Sequence, residues 1–440
     1  MRTLSWAAII AVLAQVVATV AGAATVPRDR AEIVFRDARA YTVRIRTQIT
    51  TPFMEDERGA FEGAGFLVDA ERRWVITNAH VVGQSPSTVQ AAFDDGVFRP
   101  AKKIYVDSFT DVAVIEVEIP GRQRPVAPIN CAATLQVGQG VGAFGHPLGM
   151  PFTGTRGIVS GTTDQFLNDL IQIDATVDHG NSGGPVISLQ SGEIVGIATA
   201  GAGGSKADRL NFATPMNDVC RILELMRKGM SPVPPQMEFS LLVNEDERHT
   251  LQVGHTFNAS RWPFEPGDRI MAIGSENREV KTVSNLVTAF RGRKGIVPVR
   301  VMRGEKVTVV NVQPEWRVPV LARRGVILDG ALIAPMVFED GAQEVDPLRL
   351  VVQSVEPGSA AASLDVEPMD IIHSVDGKRF DSLDALIGYL DGREPAAPVK
   401  LVFRRISPSF NRWTEFHVRE LPGEETSTVG PETQAMSVGH

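Results

Sequence analysis

Between about residues 38 and 215 the chain is a succession of short β-prone runs, each cut off by Gly, Pro, Asp or Asn, with almost no helical periodicity between them. "YTVRIRTQI", "GAGFLVDA", "RWVITNA", "DVAVIEVEI", "GQGVGAFG", "TRGIVSG", "LIQIDATV" and "EIVGIATA" are the runs, rich in β-branched residues at strand spacing. Many short strands of this kind fold as an all-β sandwich or barrel. The pattern breaks at "MNDVCRILELMRKG", where Val219, Ile222, Leu223 and Met226 recur at helical spacing, and at the Pro-rich linker "SPVPPQM".

Two segments after the linker resemble each other: "FEPGDRIMAIGSENREVKTVSNLVTAFRG" and "VEPMDIIHSVDGKRFDSLDALIGYLDG". Each is a turn with an acidic residue, a strand, a second turn and an amphipathic helix, and each runs on into a strand, "VPVRVMRG" or "PVKLVFRR". A repeat of roughly a hundred residues is too long for a solenoid and fits two copies of one small α+β domain. With 440 residues, 43% of them apolar, the chain has material for about three packed cores. The last stretch, "LPGEETSTVGPETQAMSVGH", is polar and turn-rich and reads as a disordered tail.

A net charge of −8 with no basic stripe excludes a nucleic-acid binder and leaves a peptide or protein partner as the default. The opening "MRTLSWAAIIAVLAQVVATVAGAATVPRD" has one Arg, an uncharged apolar run and Ala21-Gly22-Ala23, as a secretory signal with a small-residue cleavage site does. The alternative is a retained membrane anchor, since the run from Leu4 to Val20 approaches the ~20 residues of a spanning helix. Either way the mature chain is expected to work outside the cytoplasm, periplasmic or secreted. Only Cys131 and Cys220 are present, far apart and outside any CxxC pair, so they read as two buried free thiols, with no metal cluster.

Candidate chemistry centres on "DHGNSGGPV", where Ser182 stands among glycines. Glycines permit a tight turn in which two amide N–H groups converge on one point, and Gly180 and Ser182 would supply them as an oxyanion hole. A nucleophilic serine also needs a base, and the base an orienting acid. "WVITNAHVV" offers His80 at the end of an apolar strand, and "SFTDVAVIEVE" offers Asp111 at the start of another. A serine esterase shares the nucleophile but carries it on a strand-to-helix elbow, whereas "PVISLQSGEIVGIATA" downstream of Ser182 is strand.

"TNAHVV", "TDVAVIEV", "VGQGVGAFGHPLGMPFTGTRGIVSG" and "IQIDATVDHGNSGGPV" together resemble the HtrA/Deg serine proteases, over about residues 60 to 220 and in the order His, Asp, Ser. The two repeats resemble that family's PDZ domains. The resemblance implies a mainly β chain: a signal peptide (1–23), a chymotrypsin-like double β-barrel protease domain (24–229), an atypical first PDZ-like domain (236–316), a second PDZ domain (322–420) and a tail (421–440). It implies a triad of His80, Asp111 and Ser182, no cofactor, and cleavage of unfolded or damaged envelope proteins. A non-cleaving holdase or PDZ scaffold is the alternative, and the complete set of triad residues speaks for cutting.

His146 and His179 depart from the family's usual residues at their positions and read as substitutions, not as metal ligands. The specificity pocket is expected from Thr176, Val177, Ala198, Thr199 and Ala200, small and without a carboxylate, favouring cuts after Val, Ala or Ile; Asp174 or Asp178 turned inward would change this. In the second PDZ unit "ILDGALIAP" is expected to give a loop and edge strand for a peptide C-terminus, with Gly330, Ala331 and Leu332 offering N–H groups. The glycine-free "MEFSLLVNED" of the first unit is expected to bind poorly. Phe35 and Tyr41, ahead of the barrel, stand where the family packs aromatics between protomers and suggest a homo-trimer or a multiple of three, with a plain core role for Tyr41 as the equal alternative.

Overall fold

The computed structural model describes residues 29–121, 124–163, 169–199, 211–244, 249–336, 349–394, 396–406 and 414–431. The expected signal segment 1–23, Ala200 and residues 432–440 lie outside them. After helix α1 (Arg30–Ala38), six strands close into a barrel in the order β1-β2-β3-β6-β5-β4: β1 (Thr42–Ile49), β2 (Gly59–Asp69), β3 (Trp74–Thr77), β4 (Thr88–Ala92), β5 (Arg99–Asp107) and β6 (Val112–Val117). β1 shows why: Val43, Ile45, Thr47 and Ile49 are buried while Arg46 and Gln48 face water, so one side of the strand faces the core. The one-turn helix α2 (Ala79–Val82) follows β3 directly.

A second barrel closes in the order β10-β11-β12-β9-β8-β7. Its strands are β7 (Gly140–Gly145), β8 (Thr153–Thr163), β9 (Leu170–Ile173), β10 (Pro185–Ser188), β11 (Ile194–Thr199) and β12 (Asn211–Pro215). Val141, Val159, Ile173, Val186 and Ala198 pack inside it. Helix α3 (Met216–Arg227) puts Val219, Ile222 and Leu223 into the core of the first barrel, which accounts for the helical spacing of those residues. This is the chymotrypsin-like double barrel.

One expectation gives way here. Cys131 and Cys220 are joined as a disulfide with Cα atoms 5.7 Å apart, not left as free thiols. The connection between the barrels carries one and α3 the other, and packing against the first barrel brings them within bridging reach. Phe35 and Tyr41 are both engaged within the chain. The Phe35 ring stacks on Phe144 at 5.6 Å and fills the space beside Gly142 and Gly154, and Tyr41 is buried in the first-barrel core.

The first small domain has β13 (Pro235–Gln236), β14 (Phe239–Val243), β15 (His249–Thr256), β16 (Arg269–Ile273), β17 (Arg278–Glu279), helix α4 (Val283–Phe290), β18 (Val297–Arg303), β19 (Lys306–Val312) and β20 (Glu315–Trp316). Its main sheet runs β14-β15-β16-β18-β19 over a core of Trp262, Leu286, Phe290 and Val299. The second has β21 (Gly325–Leu328), β22 (Ala331–Pro335), β23 (Leu350–Val355), α5 (Ala360–Ser363), β24 (Ile371–Val375), α6 (Leu383–Asp391), β25 (Val399–Ile406), β26 (Thr414–Leu421) and β27 (Thr426–Val429), in the order β26-β25-β24-β23-β22-β21-β27. These are the two PDZ-type α+β units. The sheet from β14 to β19 repeats that from β22 to β26; the terminal strands β13 and β20 of the first unit pair with each other as a separate two-stranded sheet, where β21 and β27 of the second unit extend the main sheet. The tail expected to be disordered from 421 contributes β27, so ordered structure runs on to residue 431.

Both small domains dock on the barrels. In the first, α4 lies against α3: Ser284 Oγ donates to Asp218 at 2.6 Å, and Arg291, fully buried, pairs with the equally buried Asp107 at 2.6 Å. In the second, the Ser354 hydroxyl donates to the Pro52 carbonyl at 2.6 Å and Arg323 pairs with Glu55 at 3.0 Å.

Candidate active site

His80 sits in the single turn of α2, thrown forward by β3 to the rim of the first barrel. Its Nδ1 lies 2.8 Å from Asp111 Oδ2 and its backbone N–H donates to Oδ1 at 3.1 Å, so one carboxylate fixes both ring and turn. That partner places the ring proton on Nδ1 and leaves Nε2 as a base. Burial works against charging the ring, but the hydrogen bond and negative charge of Asp111 outweigh it and raise the His80 pKa above 6.5. Asp111 itself is left-handed at φ 51° in the turn between β5 and β6, a conformation that Asp tolerates better than most residues. Asn78, which sequence reasoning passed over, holds this arrangement together. Its Nδ2 donates to the Asp111 carbonyl at 2.8 Å and to Thr199 Oγ1 at 3.1 Å, tying the His80 turn to the second barrel.

The Ser182 loop shows why the glycines are needed. A Cβ on Gly180 (φ +102°) would lie 2.2 Å from the His146 carbonyl, and one on Gly183 (φ +85°) 2.2 Å from both the Ala64 carbonyl and Thr77 Oγ1. The loop is thereby pressed between the barrels. The Ser182 carbonyl accepts from Ala64 N–H at 2.8 Å, and the Gly180 carbonyl accepts from His146 N–H at 3.1 Å. His146 is a structural residue. Its Nδ1 accepts from the Phe152 amide at 3.1 Å, and burial, with the nearby Arg44 charge, pushes its pKa down to about 4, keeping the ring neutral.

A cavity of about 330 Å³ lies between the barrels, bordered by His80, Ser182, Gly180, His179, Phe61 and Val81. The structure thus brings His80, Asp111 and the Gly180–Ser182 loop together from three separate turns. No hydrogen bond joins the His80 and Ser182 side chains in this resting arrangement; such contacts commonly tighten only when substrate binds. Of the expected specificity residues, Val177 and Ala198 are packed in the second-barrel core, Thr176 is exposed, and Thr199 is spent on Asn78. None of them borders this cavity. Asp174 accepts the Ile158 amide, which turns its carboxylate toward β8.

The expected peptide-capturing residues need correction. Gly330 closes a two-residue turn with Asp329, and Ala331 and Leu332 lie in β22, which is paired on one side with β21 and on the other with β23. An inner strand has no free N–H row to offer. The edge strand at this end of the sheet is β27, which covers the outer side of β21.

The trypsin-like peptidase domain family matches residues 63–197, the stretch that holds all three residues. A DegP-like periplasmic serine endoprotease of Chlamydia trachomatis is 28% identical over 357 residues, 75% of this chain and 70% of that protein. A Synechocystis sp. protein named "Putative serine protease HhoB" is 31% identical over 290 residues, 59% of this chain and 67% of its own length. The periplasmic pH-dependent serine endoprotease DegQ of Escherichia coli is 28% identical, covering 73% of each chain. Among solved structures, the HtrA-type protease AlgW with a decapeptide shares the fold at a TM-score of 0.51 and 21% identity, over 65% of this chain and 98% of its own. Two closed barrels, two appended α+β units and these likenesses converge: the chain belongs to the HtrA/Deg family and is a serine endopeptidase.

Proposed function

We propose that Ser182 is the nucleophile, His80 the general base and Asp111 the group that orients and charges the imidazole. The observation that carries this reading is the 2.8 Å contact of His80 Nδ1 with Asp111 Oδ2 at the rim of a cavity that Ser182 also borders. Ser182 Oγ attacks the scissile carbonyl while His80 Nε2 takes its proton. The Gly180 and Ser182 amides hold the resulting oxyanion. His80 then returns the proton to the leaving amine, and water repeats the sequence on the acyl-enzyme. A fluorophosphonate should label the wild-type chain and not Ser182→Ala, and casein fragments should accumulate only with the former. Equal cleavage by Ser182→Ala would refute the assignment.

The substrates we propose are unfolded or damaged proteins of the cell envelope, and the compartment is the periplasm. Relatives named as periplasmic endoproteases support this, and so does the disulfide, since an oxidising compartment preserves such bonds. No helix among the described residues is long and apolar enough to span a membrane. Peptide recognition is assigned to the second PDZ unit, because α4 of the first is packed against α3 of the protease domain. Assembly in threes rests on family resemblance, with Phe35 and Tyr41 engaged inside the protomer; light scattering of the mature protein tests it.

A further inference from the structure

The edge of the second PDZ sheet is not open. β27 pairs antiparallel with β21, Gly325 opposite Val429, Val326 opposite Thr428, Ile327 opposite Ser427 and Leu328 opposite Thr426, and it runs beside α6. It thus fills the place between sheet edge and helix where an added peptide strand would lie. Thr426, Ser427 and Thr428 are exposed; the buried member is Val429. Val429 belongs to a cluster with Leu332 and Ala334 of the same sheet and Phe53 of the protease domain. One short strand therefore occupies the PDZ edge and also wedges that domain against the loop between β1 and β2.

That loop leads to the catalytic turn. Met54 N–H donates to Gln353 Oε1 at 3.2 Å, so the PDZ sheet grips the loop's backbone as well as its Phe53 ring. At its other end, Phe53 N–H donates to Ser85 Oγ at 2.8 Å, and Asp56 Oδ2 accepts the amides of Gln84 and Ser85. Those residues follow directly on α2, which carries His80.

We propose that Thr426–Val429 is a detachable internal ligand: an extended partner peptide adds to β21 by displacing it, and displacement withdraws Val429 from Phe53 and loosens the second PDZ unit from the β1–β2 loop. Its hold rests on a short backbone ladder and one buried aliphatic side chain, which a longer strand can outbid. The segment does not drift away when displaced. Asp329 accepts the amides of Gly423 and Glu425 at 2.7 and 2.9 Å and holds the chain just upstream, so the internal strand stays at high local concentration. The inference rests on the PDZ reading of the fold and is independent of which residue attacks the substrate.

The test uses a fluorescent peptide copying residues 422–431 and three proteins: the whole chain, the chain ended at residue 424, and the whole chain with Val429→Asp. Anisotropy should show binding to the shortened chain at least about tenfold tighter than to the whole chain, with Val429→Asp between the two. Amide exchange at Met54 should be faster in Val429→Asp than in wild type. Equal affinity for all three, or no binding to a shortened chain that still labels with fluorophosphonate and unfolds cooperatively, would overturn the internal-ligand assignment. Unchanged exchange at Met54 would overturn the link to the protease loop. Labelling of Ser182 in the same samples reports on the catalytic assignment separately.

Discussion

As the proposed general base, His80 must be neutral to accept a proton, and its surroundings set the pH at which that holds. Because Asp111 raises its pKa above 6.5, kcat/KM should fall as the pH drops through a value above 6.5, and a pH-rate profile measures this acid limb. Asp111→Asn removes the negative charge that raises the pKa, leaves only a neutral hydrogen-bonding amide beside the ring, and keeps the burial that lowers the pKa. The limb should then move below 6.5 while turnover falls by about 10⁴-fold, the loss seen when the equivalent acid of the well-studied serine proteases is made neutral. We propose that cleavage preference also rests on single side chains. Asp174 accepts the Ile158 amide, and of the residues proposed for the pocket Val177 and Ala198 are packed in the second-barrel core while Thr176 and Thr199 are uncharged, so none of these four offers a carboxylate to a basic side chain. Burying an unpaired ammonium costs several kcal/mol or more, roughly the reverse of what a small aliphatic side chain gains. Mass spectrometry of casein digests should find cuts after Val, Ala or Ile; cuts clustered after Lys or Arg would place Asp178 in the pocket.

At the level of elements, the serine loop is fitted between the barrels with no room for a side chain at Gly183. Gly183→Ala brings a Cβ into the Ala64 carbonyl at a φ that alanine avoids, so it should cost at least about 1–3 kcal/mol in thermal unfolding and displace Ser182 enough to abolish casein cleavage. These glycines, and the strand ends that present His80 and Asp111, were legible in the sequence because each constraint is local: turn residues beside a polar group at a strand terminus. The PDZ edge was misassigned by one strand. Asp329-Gly330 is a two-residue hairpin signal, both residues taking positive φ, and it makes β21 and β22 partners; taking the stretch as a binding loop overlooked that turn. β27 could not be foreseen from its own residues. "TSTV" has strand propensity but no buried face until β21 and Phe53 supply one.

Across the whole molecule, what sequence reading could not reach are contacts between units. Asp107 caps the amides of Phe109 and Thr110 in the turn that ends at Asp111, while its carboxylate pairs with Arg291 of the first PDZ unit, both fully buried. Nothing in the neighbourhood of either residue announces the other. Removing one side of a buried pair leaves an uncompensated charge, so Arg291→Met should lower stability by about 3–5 kcal/mol in chemical denaturation. With the Asp107 anchor disturbed, kcat should fall even when normalised to the fraction of chains that remain folded by circular dichroism, which separates the effect from loss of folded protein. The disulfide has a different consequence. Cys131 and Cys220 bracket the second barrel, from before β7 to within α3, so everything that builds the Ser182 side of the cavity is one covalent ring. A single nick anywhere inside that ring opens it without parting it: a preparation scarred by limited trypsin there should run as one full-length band on a gel without reductant and fall into two pieces only when thiol is added.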